Sequence, residues 1–281
     1  MTPALFTLAR RALRGEAKIG GAAVVLAAVS GGPDSMALLH VLARLAPKLE
    51  IVVRAHGVDH GLRPEAAAEL DAAATLAHEL GVPFGRTRLS VPRGSNLQAR
   101  ARAARYDALA AAARDASATA IATAHHADDR AETVLLRLLR GAGPRGLAVL
   151  PARARLGDSD LDLIRPFIRA RRTAIVEHLD RHRVPFATDP SNRDPRYLRT
   201  RVRSELMPLL VGLSPGIVEH LAALADQLGT DTTEAPTAFP LPRSTQIALT
   251  ELMRSRSATA RVWLPGGLVA TVDPTARFRP A

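Results

Sequence analysis

Ser30, Gly31, Gly32, Pro33, Asp34 and Ser35 place two hydroxyls, a glycine pair and a carboxylate in six consecutive positions. Such a run suits an anion. Glycines accept positive φ and let backbone approach a ligand closely, and free N–H groups at a helix start point at negative charge. Further on, Asp129 and Glu132 stand three apart, so a helix sets both carboxylates on one face. Read alone, the pair is an ordinary acidic first turn. Beside an anion loop it becomes a means of holding Mg²⁺, which keeps several waters and takes few protein ligands. Arg100 and Arg105 follow a third candidate strand and suit the neutralisation of phosphate charge.

The elements that must position these residues alternate. Val24 to Val29 reads as a buried strand, and a helix follows from Asp34 to Leu45. Strands are expected at Ile51–Val58, Phe84–Val91 and Thr119–Ala124. Helices are expected at Pro3–Lys18, Glu65–Leu80, from Ser95 or Asn96 to Ala116, and Ala127–Arg140. Asp128 or Asp129 is the expected cap of that last helix. Strand and helix alternate four times, which predicts βαβ units and an α/β fold with a parallel sheet flanked by helices. Ligands of such sheets lie at the carboxyl ends of strands. Ser30–Ser35, His56–Arg63 and His125–Asp129 all fall there.

Beyond Gly141–Gly146, Asp160–Phe167 reads as a short strand and turn. Helices are expected at Thr173–Arg183, Arg196–Leu210 and Pro215–Leu228, then a linker over Gly229–Pro242. Gln246–Arg254 looks helical, Trp263–Thr271 suggests a hairpin around Gly266–Gly267, and Asp273–Ala281 reads as loose. The expected division is a catalytic domain over residues 1–212 and a small, mainly helical C-terminal region over residues 213–281. Asp189-Pro190-Ser191-Asn192 precedes a helix carrying Arg196, Arg199, Arg201 and Arg203. That helix suits a phosphate backbone, and it suits packing on acidic neighbours equally well.

The formal net charge is +11, carried almost entirely by Arg, with Lys18 and Lys48 the only lysines. A surplus of this size fits a polyanionic partner; a composition bias toward Ala and Arg gives the same number without one. The chain has no cysteine, which excludes disulfides, Cys-ligated iron–sulfur clusters and a persulfide carrier. The longest apolar run, near Ala22–Val29, is far too short to span a bilayer. No membrane partner is therefore expected, and a cytoplasmic location is.

The order Ser-Gly-Gly-Pro-Asp-Ser after a hydrophobic strand resembles the pyrophosphate loop of the N-type ATP pyrophosphatases, the PP-loop superfamily with its adenine nucleotide alpha hydrolase-like fold. A Walker loop needs Gly-Lys-Ser/Thr, which is absent here. With VDHGLR, ARAARY, HHADDRAET…LLRGAGPRGL, LIRPF and DPSN…RYLRTRVR in order from Val24 to Leu210, the chain resembles the tRNA(Ile)-lysidine synthase family. The resemblance implies a carbon–nitrogen ligase that uses ATP and Mg²⁺. Its partners would be free L-lysine and tRNA(Ile) with a CAU anticodon, and it leaves room for a homodimer. Such an enzyme adenylates the oxygen on C2 of the wobble cytidine, and lysine then displaces AMP from C2, so that decoding changes from AUG to AUA.

Carried onto this chain, the resemblance gives Ser30, Gly31, Gly32, Pro33, Asp34 and Ser35 to the pyrophosphate. It gives Asp34, Asp129 and Glu132 to Mg²⁺ or the reactants, and Arg100 and Arg105 to developing charge. One departure is Thr200 where the family carries Asn between two arginines. Another is the short region after Gly229. A tRNA thiolase of the same superfamily is the nearest alternative, but it handles sulfur through cysteines. A small-molecule adenylating or amidating enzyme fits the loop and not the basic balance. A nonenzymatic nucleotide- or RNA-binding module leaves the three acids without a task.

Overall fold

Val24–Val29 (β1) is apolar throughout and buried along most of its length, the pattern of a central strand in a parallel sheet. It lies mid-sheet in a computed structural model that describes residues 4–59, 61, 65–90, 94, 97–157, 159–187, 196–230, 261–263 and 269–271. The main sheet adds β2 (Val52–Asp59), β3 (Phe84–Arg88), β4 (Ala120–Ala122), β5 (Arg153–Arg155) and β6 (Asp162–Ile164). Its order is β3-β2-β1-β4-β6-β5. All neighbours run parallel except β5 against β6.

Helices pack on both faces: α1 (Leu5–Arg11), α2 (Pro33–Leu49), α3 (Glu65–Glu79), α4 (Leu97–Asp115) and α5 (Ala127–Leu139). Then come α6 (Pro144–Leu147), α7 (Arg172–His182), α8 (Leu198–Arg201), α9 (Met207–Leu213) and α10 (Ile217–Thr230). A π-helical turn over Val202–Leu206 joins α8 to α9, and another over Ala12–Glu16 extends α1. A separate two-stranded ribbon pairs β7 (Arg261–Trp263) antiparallel with β8 (Val269–Thr271).

The chain builds outward from β1 through β2 to β3, then returns to lay β4 on the other side of β1. Between β1 and β4 the winding reverses. At such a point the loops after the two strands part and leave a crevice at their carboxyl ends. The loop after β1 is Ser30–Gly32, and the loop after β4 is Thr123–His126. Topology alone therefore brings the anion loop and the acidic cluster together.

Among the described residues the expected strands and helices are present with shifted ends. Three differences stand out, the first two with a physical cause. α2 runs on past Pro47 to Leu49, because Leu45 and Leu49 are buried and anchor its last turn. The edge strand β5 is a pairing that periodicity missed, since Arg153 and Arg155 flank one alanine; charged side chains suit an exposed edge. α10 continues through Gly229 and Thr230, positions expected to begin a linker. Pro64, Val91, the caps Ser95 and Asn96, Asp189–Asn192, helix 246–254 and the tail 273–281 lie outside the described residues, as does the glycine pair between β7 and β8. Among the described residues no single helix is long and apolar enough to cross a membrane.

One cluster of Leu, Val, Ala and Ile spans β1, β2, α1, α2 and α7. A second joins α5 to α6, α9 and α10. Within the first, His40 on α2 and His178 on α7 share a buried hydrogen bond, Nδ1 to Nε2, at 3.0 Å. Burial, then the neighbouring His182, lowers both pKa values to about 4, with Arg44 also acting on His40 and Arg181 on His178. A base with its folded pKa depressed adds stability that is complete above the unfolded value near 6.5 and is lost as pH falls toward 4. Thermal melts of the wild type should therefore drop over that window. The double variant His40→Leu/His178→Leu, which removes both polar partners, should flatten the drop.

Candidate active site at the β1–β4 crevice

Ser30–Ser35 closes on itself. The Ser35 hydroxyl oxygen accepts from the Ser30 N–H at 3.1 Å, and its own proton goes to the Gly32 carbonyl at 2.9 Å. The two hydroxyl oxygens lie 3.2 Å apart. Ser35 therefore holds the loop's shape as well as lining it. Gly31 has φ +81°, and a Cβ there would stand 2.6 Å from the Glu69 carbonyl oxygen, so packing and backbone conformation both demand glycine. Its carbonyl also accepts from the Ala187 N–H at 2.9 Å. Gly32 in extended conformation and Pro33 in the first turn start α2, which points the positive end of a 17-residue helix into the crevice.

Asp34 sits in that first turn with Oδ1 buried and without a hydrogen-bond partner among the described residues. Burial raises its pKa, against the opposing pull of His126 and Arg172. His126 comes from the loop after β4. Its Nε2 lies 3.9 Å from Asp34 Oδ2 and 3.4 Å from Asp129 Oδ2, so one imidazole edge bridges the two carboxylates.

His126 also caps α5. Its Nδ1 accepts from the Asp129 N–H at 3.3 Å, while Asp129 Oδ2 accepts from the His126 N–H at 3.2 Å. The expected cap was Asp128 or Asp129. The cap is His126, with Asp129 as its reciprocal partner, and Asp128 instead accepts from the Arg172 N–H at 2.8 Å and from Arg171 Nε at 3.2 Å. Nδ1 of His126 cannot both accept that bond and donate to Asp128 Oδ2, 3.5 Å away. Capping requires the Nε2–H tautomer, and a doubly protonated ring would turn toward Asp128. Burial opposes that second proton. The carboxylates of Asp128, Asp129 and Asp34 outweigh burial and hold the pKa above the usual histidine value.

Glu132, one turn further along α5, is 3% exposed. It accepts from Arg203 Nε at 2.6 Å, Arg203 Nη2 at 3.0 Å and Arg199 Nε at 3.1 Å. Asp129 Oδ1 accepts from Arg199 Nη2 at 3.0 Å and Arg203 Nη2 at 3.4 Å. The basic helix thus packs on acidic neighbours through Arg199 and Arg203, while Arg201 turns outward to Glu205. Both Glu132 oxygens are occupied by guanidinium groups, which differs from its expected place among the metal ligands. Among the described residues no three His, Cys, Asp or Glu side chains converge as a ready metal cage. Mg²⁺ needs only one or two carboxylates beside phosphate oxygens and water. Asp34, with a buried oxygen left unpaired, and Asp129 across His126 meet that requirement.

Arg105 lies half-buried beside Tyr106, its guanidinium 5.4 Å from the ring centre, with Arg102 at 5.1 Å. Burial first, then Arg165, Arg102 and Arg105 against the opposing Asp129, lowers the pKa of His125 to about 3. A neutral His125 among these cations, hydrogen-bonded to Thr123 at 2.9 Å, marks a positive wall on the β4 side. Arg100 is exposed, beside Gly94.

Residues 8–210 match the PP-loop domain family. Over 235 residues the chain is 41% identical to the tRNA(Ile)-lysidine synthase of Salinispora arenicola, covering 83% of this chain and 70% of that protein. The chain belongs to the PP-loop family, among the tRNA(Ile)-lysidine synthases. It is also 47% identical over 210 residues to the synthase of Methylobacterium sp. strain 4-46, covering 73% of this chain and 59% of that one. The chain thus spans about three fifths of the length of the first curated synthases it matches. In fold it is similar to the U34-tRNA thiolase NcsA from Methanococcus maripaludis, with TM-score 0.67, 18% identity and coverage of 84% and 82%.

For a PP-loop chain, the sequence pointed to Ser30–Ser35, Asp34 and Asp129 as one site, and the crevice gathers them. It missed His126 as the bridge, because histidine is not a favoured cap. It also missed the partnership of Arg203 with Glu132, although Arg199 and Arg203 stand four apart on one helical face.

Two outcomes follow from this packing. Gly31→Ala should destabilise the fold by about 1–3 kcal/mol, since φ and the Glu69 backbone both oppose a Cβ; chemical denaturation measures it. Arg203→Ala should cost about 1–3 kcal/mol by exposing a buried carboxylate to incomplete pairing. Adding Glu132→Gln should then cost less than the sum of the two single changes in a double-mutant cycle.

Proposed function

We propose that this chain catalyses ATP-dependent ligation of L-lysine to C2 of the wobble cytidine in tRNA(Ile) with a CAU anticodon. The observation that carries the reading is the unpaired, buried carboxylate oxygen of Asp34 at the head of an anion loop, facing Asp129 across His126. Support comes from the synthases that match most of the chain.

The cytidine O2 attacks the α-phosphorus of ATP, and pyrophosphate leaves. The ε-amine of lysine then attacks C2, sheds a proton, and AMP departs with the former O2. In this reading Ser30–Ser35 and the start of α2 receive the β and γ phosphates through N–H groups and the helix dipole. Asp34 and Asp129 would hold Mg²⁺, which when bound neutralises phosphate charge. Arg105 and Arg100 steady charge that develops during transfer. Glu132 keeps Arg199 and Arg203 seated, and these two guanidiniums lock the acidic turn of α5 in place.

The catalytic unit is read as residues 1–212. α10, in the C-terminal region, braces it by packing on α5. A cytoplasmic location fits a substrate that is a tRNA.

Incubation with ATP, labelled lysine and an isoleucine tRNA transcript should place label in the RNA with stoichiometric AMP. Asp34→Asn, which keeps shape and removes charge, should lower that rate at least ~100-fold. Wild-type rates in the Asn variant, or label that enters RNA without ATP, would overturn the assignment.

A further inference from the structure

One groove lies away from the strand carboxyl ends. It has a volume of about 530 Å³ and lies between α1, the C-terminal half of α2 and α7, with Arg10, Arg44, Lys48, His40 and Phe6 among its walls. Asp34 opens α2, and Lys48 stands 14 residues later on the same helix. At 1.5 Å rise per residue the groove is therefore ~20 Å from the crevice. A second, shallower groove adjoins it, lined by Arg10, Arg11, Arg14 and Gly15. The two share Arg10.

Arg10, Arg11, Arg14, Arg44 and Lys48 are all exposed. None of the five makes an ion pair with a carboxylate among the described residues. Arg14 donates to the Lys48 carbonyl at 2.9 Å, which pulls the two segments together. The nearby Glu16 is taken by Arg169 at 2.8 Å. Elsewhere this chain neutralises its arginines with care, as at Glu132, Asp128 and Asp226. Five neighbouring cations without a counter-charge repel one another, and the repulsion is relieved when a polyanion lies along them.

We propose that these two grooves are a second RNA-contact site, which takes the phosphodiester backbone of the RNA substrate away from the reacting base. The proposal rests on the reading that the substrate is a tRNA. The cations form a track rather than a point, since the grooves meet only at Arg10, so successive phosphates fit better than a lone one. A bilayer fits poorly: α1 buries Leu5 and Ala9 in the core and so presents no apolar face to lipid.

The test compares two fourfold variants by fluorescence anisotropy with a labelled tRNA transcript, from 50 to 200 mM salt. One carries Arg10→Ala, Arg11→Ala, Arg44→Ala and Lys48→Ala; Arg14 is kept because it caps α2. The other removes as much charge elsewhere, through Arg54→Ala, Arg114→Ala, Arg137→Ala and Arg140→Ala. The groove variant should bind RNA at least 10-fold more weakly, with a salt slope lower by about one per lost phosphate contact, while the other variant changes less and ATP binding is unaltered in both. Equal losses in the two variants, or no loss in the groove variant, would overturn the site and leave the tRNA reading standing. Loss of binding to anionic phosphatidylserine vesicles with RNA binding intact would assign the track to membranes and overturn it. A wild-type chain that binds no tRNA would overturn both readings.

Discussion

Charge neutralisation inside a poorly solvated crevice is the constraint on which this architecture depends. Asp34, Asp129 and Glu132 lie on two helices that start at neighbouring strand ends. An uncompensated carboxylate in such a place costs several kcal/mol. Arg199 and Arg203 meet that cost for Glu132 and part of Asp129. His126 stands between Asp129 and Asp34 and tempers both. Among the carboxylate oxygens described there, one of Asp34 remains buried without a hydrogen-bond partner, at the mouth of the anion loop and on the same side as the likewise unpartnered His126 Nε2. The balance is thus local and nearly complete, with its deficit where phosphates and a cation would enter.

The same balance explains why the region after the sheet belongs to the site. α8 and the π-turn that follows carry Arg199 and Arg203, and α10 carries Asp226 and Glu219. Asp226 pairs with the buried Arg130 at 2.7 Å and with Arg169; Glu219 pairs with Arg171, which also holds Asp128. Each link runs from α5 or the turn before α7 into the C-terminal helices. The acidic helix is therefore positioned from behind as well as by the strand that precedes it. Loosening the C-terminal helices would loosen α5, and with it the spacing between Asp129 and Asp34.

Much of this was legible in the residues. Apolar runs bounded by turns gave away β1, β2 and β4, and the alternation with helices gave away a parallel sheet whose strand ends collect the polar clusters. The glycine pair in Ser30–Ser35 was readable because positive φ and close packing both select glycine. Other features were not readable, for physical reasons. β5 reads Arg-Ala-Arg, and its pairing depends on β6 and on lying at an edge, which no local pattern reports. The cap at His126 depends on an imidazole held by three carboxylates from two segments, a tertiary fact. Glu132 looked like a ligand because its spacing from Asp129 is visible, while the guanidiniums that claim it lie about seventy positions further on.

The basic surplus resolves into distinct populations once partners are known. Arg130, Arg165, Arg199 and Arg203 point inward and balance acids or cap carbonyls. Their number reflects how many carboxylates and orphan carbonyls the crevice and its supports contain. Arg102 and Arg105 lie beside a histidine driven neutral, so their field is available to a ligand on the β4 side. The cations around α1 and the end of α2 form a third population, exposed and unbalanced. Net charge alone treats these as one quantity. Only the second and third can attract a polyanion, because a guanidinium already bidentate to a buried carboxylate has little left to offer. A polyanion that engages both must reach from the β1–β4 crevice around to the far end of α2, a distance suited to a folded RNA and too long for a nucleotide.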